Sequence, residues 1–128
     1  MTKRQSREFL PERDLCLSRI RWARFGTTIN CVYCHNNAVI KRGTTNKGAQ
    51  QYWCDDCDSY FNDLTGTAFS QRRFDIEEMF YIIEKKKQSI PVAQIAREID
   101  RDYRSVLEFI RDVQIKDNDN DEFDMYRI

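Results

Sequence analysis

The chain has 128 residues, and its 21 basic and 21 acidic side chains give a formal net charge of zero. This length suits one domain or two very small ones, and no uncharged stretch is long enough to span a membrane. The basic N-terminus, residues 1–6, is not followed by the apolar core of a signal peptide. We therefore expect a cytoplasmic protein (nucleoid-associated in a prokaryote) with reduced thiols and no membrane partner.

The neutral total hides a charge asymmetry along the chain. Residues 1–30 sum to +4, whereas residues 117–128 sum to −4. A basic head with an acidic appendage suggests contact with nucleic acid, and ordinary solvated surface is the alternative. We expect the acidic tail, residues 117–128, to be disordered in solution, or else to dock on the basic face or on a partner.

The first predicted element is a helix over residues 12–24, ended by Gly26, within a basic N-terminal segment, residues 1–26. Its apolar residues recur at near-helical spacing: Leu15, Leu17, Ile20 and Trp22. We expect three of them, Leu15, Ile20 and Trp22, to pack against the module that follows, in preference to contacting DNA.

Two short hooks, each with two residues between its cysteines, come next: Cys31, Cys34, Cys54 and Cys57. Nineteen residues separate the hooks, which is the spacing of a four-thiolate zinc site. We expect one structural Zn²⁺, with iron as the main competitor and a pair of disulfides as the alternative that reducing conditions disfavour. Four thiolates leave His35 no vacant position, and Cys16 is expected to be a small buried hydrophobe.

Residues 27–68 are predicted to form a zinc ribbon, a small antiparallel sheet capped by the metal. Short strands are expected at 39–40, 51–53 and 60–61, with a loop or hairpin at 41–48. Burial of so few apolar residues cannot hold a sheet by itself. Metal binding would therefore supply folding free energy on the order of 10 kcal/mol or more. We expect four aromatic residues to form a small core and not a base-stacking platform: Tyr52, Trp53, Tyr60 and Phe61.

Three helices are predicted in residues 69–116. The first, over 75–87, has acidic residues in its first turn and a lysine triplet in its last, as the helix dipole favours. The second is expected over 89–99, with Ser89 as its N-cap or just before it and Pro91 in its first turn. A turn at 100–102 and a third helix over 103–115 follow, which matches the helix-turn-helix pattern, although any three-helix bundle can share this periodicity.

In a helix-turn-helix the last helix lies in the major groove, and its first residues reach base edges. Asp102 would cap this helix, and Arg104 is the best candidate for base readout because a guanidinium can donate two bonds to guanine. The predicted DNA contacts are Arg101, Tyr103, Arg104, Ser105 and Arg111 from this unit, with Lys41, Arg42 and Lys47 from the ribbon. The alternative is that the arginines pair with carboxylates along the helices.

A specific series of motifs runs through the chain: Arg21-Trp22, the first hook, Tyr52-Trp53 before the second hook, then Phe61-Asn62-Asp63-Leu64-Thr65-Gly66-Thr67, Phe69 and the paired helices. Over residues 12–115 this order resembles the N-terminal DNA-binding part of prokaryotic insertion-sequence (DDE-type) transposases, and Thr-Gly-Thr is its most specific element. The resemblance implies that ribbon and helices recognise the ends of a mobile element and that a downstream acidic-triad domain cuts DNA.

Three features depart from that family. Val32-Tyr33 stands where a proline is usual, and Asp100-Arg101 stands where a glycine and an apolar residue are common. The chain also ends at Ile128, and its carboxylates are scattered over short helices and the tail. We therefore expect no strand cleavage by this chain alone.

Taken together, the sequence predicts a small α+β protein with an N-terminal helix, a four-cysteine zinc ribbon, a three-helix helix-turn-helix bundle and an acidic tail. The expected function is non-enzymatic, zinc-dependent binding of double-stranded DNA by a transcription regulator or transposase-derived protein. Further candidate partners are a second copy of the chain and a transcription or transposition protein. The alternative is a zinc-ribbon adapter of the transcription machinery that binds protein through Tyr52, Trp53 and the tail.

Overall fold

A computed structural model describes residues 8–70 and 72–113, so the predictions for 1–7 and for 114–128, including the acidic tail, lie outside the described residues. Helix α1 comes first, three strands follow, and three helices complete the chain. Their bounds are α1 Arg13–Phe25, β1 Val39–Thr44, β2 Gln50–Cys54, β3 Ser59–Asn62, α2 Ile76–Lys87, α3 Val92–Ile99 and α4 Tyr103–Val113. The predicted α+β class is confirmed. None of the helices in the described ranges is both long and apolar enough to cross a membrane.

The three strands form one antiparallel sheet in the order β1-β2-β3. Trp53 in the central strand is paired with Ile40 on one side and Tyr60 on the other, and its neighbour Tyr52 is paired with Phe61. Because successive side chains of a strand point to opposite faces, the sheet divides its aromatic residues between two faces. Tyr52 and Phe61 are buried, whereas Tyr60 is 54% exposed.

Strand β1 is longer than predicted and continues through the basic segment to Thr44. Its register with β2 is irregular between Lys41 and Thr44, and a tight turn closed by the Gly48 N–H and the Thr45 carbonyl (2.9 Å) completes the hairpin. Of the two alternatives predicted for 41–48, a loop or a hairpin, the structure has the hairpin.

Helix α1 ends at Gly26 as predicted, but it buries a different face. Cys16, Leu17 and Ile20 are buried, whereas Leu15 and Trp22 are 61% and 65% exposed. The prediction that Leu15 and Trp22 pack inward was therefore wrong. The apolar residues of α1 define two overlapping stripes, and packing against α2 selects the stripe through Cys16 and Ile20.

The buried apolar residues form two clusters of unequal size. The larger cluster joins α1 to α2, α3 and α4, and it includes Ala49 of the hairpin and Leu64 after β3. The smaller cluster lies in the ribbon, which we define as residues 31–62, and consists of Cys31, Tyr52, Cys54 and Phe61. Helix α1 thus contributes mainly to the core of the helical part, which we define as α1 together with residues 69–113.

Helix ends account for a second difference from the predictions. Ser89 does not cap α3: it has a positive φ of 65° and ends α2, with the N–H groups of Ser89 and Ile90 donating to the carbonyls of Lys86 and Lys85 (2.9 and 3.1 Å). This is the pairing by which a left-handed residue closes a helix. Pro91 is instead the N-cap residue of α3.

The turn between α3 and α4 uses the same device. Asp100 has φ 58° and ψ 49°, the left-handed conformation, and the Arg101 N–H donates to the Ala96 carbonyl at 2.9 Å. Asp102 then caps α4 as predicted, because its Oδ2 accepts from the Ser105 N–H at 2.9 Å. An aspartate thus takes the left-handed position that glycine more often fills.

Candidate metal centre and basic surface

The four predicted metal ligands come together at one point. Their Sγ atoms all lie within 4.8 Å of one another, and the pairs Cys31–Cys57 and Cys34–Cys54 are each 3.6 Å apart. A disulfide needs about 2.05 Å between sulfurs, so these cysteines are not bridged. Tetrahedral Zn–S bonds of about 2.3 Å place ligand sulfurs about 3.8 Å apart, so the donor set fits a four-coordinate metal ion.

The same backbone turn builds both hooks. The N–H of His35 donates to the Cys31 carbonyl at 3.0 Å, and the N–H of Asp58 donates to the Cys54 carbonyl at 2.9 Å. Both donors follow the second cysteine of their hook and have positive φ, 67° and 56°. His35 therefore serves as a turn residue, and its exposed side chain is not part of the sulfur cluster.

Backbone donors favour the thiolate at the first hook. The N–H groups of Tyr33 and Cys34 point at the Cys31 sulfur, at 3.3 and 3.5 Å. Burial raises the pKa of the Cys31 thiol, but these N–H groups and the Cys57 thiol outweigh it and bring the pKa down to about 7. The thiolate is the form that binds metal. Cys16 differs, since burial raises its pKa to about 11, and it packs as the small hydrophobe predicted.

A buried carboxylate joins the ribbon to α1. Asp63, just after β3, is fully buried and accepts from Arg21 Nη2 (2.6 Å), Arg21 Nε (3.1 Å) and the Tyr52 hydroxyl (2.6 Å). The Gln50 N–H also donates to its carboxylate (3.2 Å), and Arg24 Nη1 donates to its backbone carbonyl (2.7 Å). Sequence reasoning placed Asp63 only within a family motif, because its partners lie far away in the chain.

Two of the predicted DNA contacts already have partners inside the protein. The Lys47 ammonium donates to the carbonyls of Arg72, Arg73 and Phe74 at 2.8–3.0 Å. The Arg101 guanidinium makes two 2.9 Å bonds to the fully buried carboxylate of Glu78. We assign both residues structural roles: Lys47 fixes the hairpin to the start of the helices, and Arg101 neutralises Glu78.

The other predicted contacts are exposed or partly exposed. Tyr103, Arg104 and Arg111 are exposed on α4, as are Lys41 and Arg42 on β1. Ser105 is partly buried, and its hydroxyl donates to Asp102 Oδ1 at 2.8 Å. The structure therefore presents basic groups on two elements, α4 and the hairpin.

Sequence reasoning missed one basic residue next to α4. Arg73 is exposed and lines an open cleft together with Arg104, Ser105 and Glu108. Its neighbour Arg72 is paired with Asp112 at 2.7 Å. No pattern around residue 73 indicated that this segment lies against α4, because the contact arises from how α2 and α4 pack.

The adapter alternative loses part of its predicted surface. Tyr52 is fully buried, and burial together with its hydrogen bond to Asp63 raises the pKa of its hydroxyl above the usual value. The prediction that Tyr52 and Phe61 form a small core is confirmed, whereas Tyr60 lies on the exposed outer face with Trp53 half-buried beside it.

Comparison with known proteins gives one informative match, to a protein described as an uncharacterized protein in transposable element ISH50 of Halobacterium salinarum. The two are 34% identical over 91 residues, which is 70% of this chain and 30% of the relative. The matched region thus spans less than a third of the relative's length. No family model matches the chain, and no solved structure matches it. The similarity fits a transposase-related origin.

Proposed function

We propose that this chain is a zinc-dependent protein of transposase-related origin that binds double-stranded DNA and reads it with α4. The observation that carries the proposal is the division of arginines around that helix. Arg72 and Arg101 are paired with carboxylates, whereas Arg73, Arg104 and Arg111 form no salt bridge within the described part of the chain. Exposed guanidinium groups that form no salt bridge are suited to phosphates and guanine edges.

The packing of α3 and α4 supports a helix-turn-helix assignment. Ala96 and Ile99 of α3 are buried in the same cluster as Val106 of α4, and three residues connect the helices. The capped first turn of α4 exposes Tyr103 and Arg104. This places an arginine at the end of the helix that base contacts require in such motifs.

The four-thiolate centre supports a structural zinc. All four positions of a tetrahedral ion are taken by sulfur, which leaves no site for a water or a substrate. We therefore propose a non-enzymatic role for this region, in which the metal holds the ribbon and does not take part in a reaction. Zinc is preferred over iron because a closed tetrahedral thiolate site without a redox task is the usual structural zinc site.

The relative connects this role to mobile DNA. It is a protein of a transposable element, and the matched region covers 70% of this chain. Recognition of element ends or regulation of an element-derived gene would both use a DNA-reading helix held beside a metal ribbon. The function proposed for this region is recognition of DNA, not its cleavage.

The test is substitution of Arg104, with a duplex chosen by selection of bound sequences from random DNA. Arg104→Ala should weaken binding to the selected duplex by about 1–3 kcal/mol and relax the preference at one base pair. Arg73→Ala and Arg111→Ala should instead weaken binding to all duplexes alike and lower the salt slope by about 1 each. Fluorescence anisotropy at several salt concentrations measures both effects.

Arg19→Ala is the matched control, because Arg19 is an exposed arginine of α1 that stacks on Phe80. It removes the same charge away from α4 and should leave affinity for the selected duplex unchanged. If Arg104→Ala and Arg19→Ala bind the selected duplex equally well, α4 is not the reading helix. If the wild-type chain selects no DNA, the proposed function is wrong.

A further inference from the structure

An open cleft of about 410 Å³ lies between α1, α2 and the segment that leads into α1. Three aromatic rings line it, those of Phe9, Phe80 and Tyr81, and we call it the aromatic cleft. Phe9 is 45% exposed and packs edge-on against Tyr81, with the ring centroids 5.1 Å apart. The Tyr81 hydroxyl donates to Glu98 Oε1 at 2.7 Å, which holds that ring in place. A cleft of this volume can accept more than one apolar side chain.

Two cations flank the rings of the aromatic cleft. The Arg19 guanidinium of α1 lies 5.6 Å from the centroid of the Phe80 ring, and the Lys85 ammonium of α2 lies 5.4 Å from that of Tyr81. Neither cation forms a salt bridge within the described part of the chain. The lining also includes one carboxylate, that of Glu84. The cleft therefore favours a ligand that brings apolar groups for the rings and carboxylates for the two cations.

The two terminal segments outside the described residues differ in charge and in apolar content. Residues 1–7 carry three basic and no acidic side chains, whereas residues 114–128 carry five acidic and two basic ones, a net charge of −3. The acidic segment also has apolar side chains after its run of carboxylates: Phe123, Met125, Tyr126 and Ile128. The rings and cations of the cleft thus match residues 114–128 and not residues 1–7.

The chain leaves α4 close to the aromatic cleft. Phe80 stacks on Phe69 with the ring centroids 5.8 Å apart, and Phe69 packs in turn on Phe109 at 6.2 Å. Phe109 lies about one helical turn before Val113, where α4 ends. Residues 114–122 can extend over about 30 Å, which is ample for a return to Phe80. A tether this short gives an effective concentration in the millimolar range, which a ligand from solution seldom reaches.

We propose that residues 114–128 fold back into the aromatic cleft of their own chain, with Phe123 and Tyr126 against its rings and the neighbouring carboxylates beside Arg19 and Lys85. Burial of the two aromatic side chains supplies most of the binding free energy. The rim cations contribute less, because exposed ion pairs are weak, but they select the acidic segment. This inference concerns α1 and α2 and does not depend on whether α4 reads DNA.

The test is NMR of the full-length, metal-loaded chain without DNA. Nuclear Overhauser effects should connect the Phe123 and Tyr126 rings to the rings of the cleft. Phe123→Ser combined with Tyr126→Ser should lower the ratio of docked to free segment roughly tenfold or more, measured by the ring-proton shifts of Tyr81. Both substitutions lie outside the two buried clusters, so they leave the fold intact. Asn120→Ser is the matched control in the same segment and should leave the ratio unchanged.

A substitution on the cleft tests the location. Lys85→Gln should lower the ratio of docked to free segment roughly 1.5- to 5-fold, and this effect should vanish at about 1 M salt, where charges are screened within about 3 Å. Lys41→Gln, at an exposed cation of β1, should change nothing. Arg104→Ala separates this proposal from the proposed function, because it should weaken binding to the selected duplex and leave the contacts in the cleft unchanged.

Four results would overturn the proposal. The first is absence of contacts between residues 114–128 and the cleft in the wild-type chain, and the second is contacts from residues 1–7 in their place. The third is an equal docked-to-free ratio in the wild type and the double serine variant. The fourth is that isotope-filtered spectra of mixed labelled and unlabelled chains assign the contacts to different molecules, which would place the segment of a second copy in the cleft.

Discussion

The ribbon and the helical part are stabilised by different means, although they belong to one chain of 128 residues. The ribbon buries only four residues in its own cluster, and two of them are metal ligands. The helical cluster contains rings and branched side chains from all four helices. The difference shows that burial can hold the helices, whereas the sheet needs coordination bonds as well.

Removal of the metal is the largest expected perturbation, and it should separate the two regions. Structural zinc contributes on the order of 10 kcal/mol or more to small modules, so chelation should unfold the ribbon and leave α2–α4 folded. Amide NMR spectra with and without chelator would show loss of dispersion at residues 50–62 and its retention at 92–113. Cys54→Ser should act like the chelator, whereas Cys16→Ala should keep the metal. Unchanged amide signals from the ribbon after chelation would show that the sheet stays folded without the metal.

Substitution of Asp63 should weaken the join between the two regions. Asp63→Asn removes a fully buried carboxylate and leaves Arg21 without its partner, which destabilises by about 3 kcal/mol. This is the lower end of the usual range, because Arg21 is partly exposed and recovers contact with water. Urea denaturation measures the loss, and Asp56→Asn, at an exposed aspartate, should change stability by less than about 0.5 kcal/mol. Equal stability of the two variants would show that the contacts between Asp63 and α1 contribute nothing to the free energy of unfolding.

Loss of one hydroxyl gives the smallest effect and distinguishes the two faces of the sheet. Tyr52→Phe removes one of the donors to Asp63 and should destabilise by about 1 kcal/mol, whereas Tyr60→Phe on the outer face should be neutral within about 0.5 kcal/mol. Thermal or urea denaturation of both variants checks this. A larger loss of stability for Tyr60→Phe than for Tyr52→Phe would mean that the buried and exposed faces of the sheet are wrongly assigned.

The same tyrosine gives a dependence on pH. Burial, followed by the hydrogen bond to Asp63, raises the pKa of Tyr52 above its ordinary value of 10.0. The folded state therefore holds the phenolic proton more tightly than the unfolded state. The stability gained in this way is fully present below about pH 10 and is lost as pH rises above it. Urea denaturation between pH 9 and 11 should show a shallower loss of stability for Tyr52→Phe than for wild type.

Local patterns in the sequence predicted the elements and the metal ligands well. The cysteine spacing requires both hooks to face one point, and the structure brings all four sulfurs there. The alternation of side chains along a strand also determines which residues share a face of the sheet, although the prediction did not use it. Cys54 must point toward the metal, so Tyr52, two residues earlier, shares its face and Trp53 lies on the other.

Contacts between distant segments could not be read from the sequence. Arg21 and Asp63 are 42 positions apart, and their pairing depends on how α1 lies against the ribbon. In α1 two apolar stripes overlap, and only the position of α2 decides that Leu15 and Trp22 remain exposed. Serine is a common N-cap residue, but the backbone of Ser89 closes the C-terminal end of α2, so Ser89 does not cap α3.

The Lys47 ammonium donates to three successive carbonyls just before α2. This contact sets the position of the hairpin relative to the helices. Lys41 and Arg42 belong to the same hairpin, so this contact helps to hold their position relative to the helices that follow. If the hairpin and α4 contact one DNA molecule, the distance between their footprints is set by the protein. Inserting half a helical turn, about five base pairs, between those footprints would then place them on opposite sides of the duplex, and the chain could engage only one.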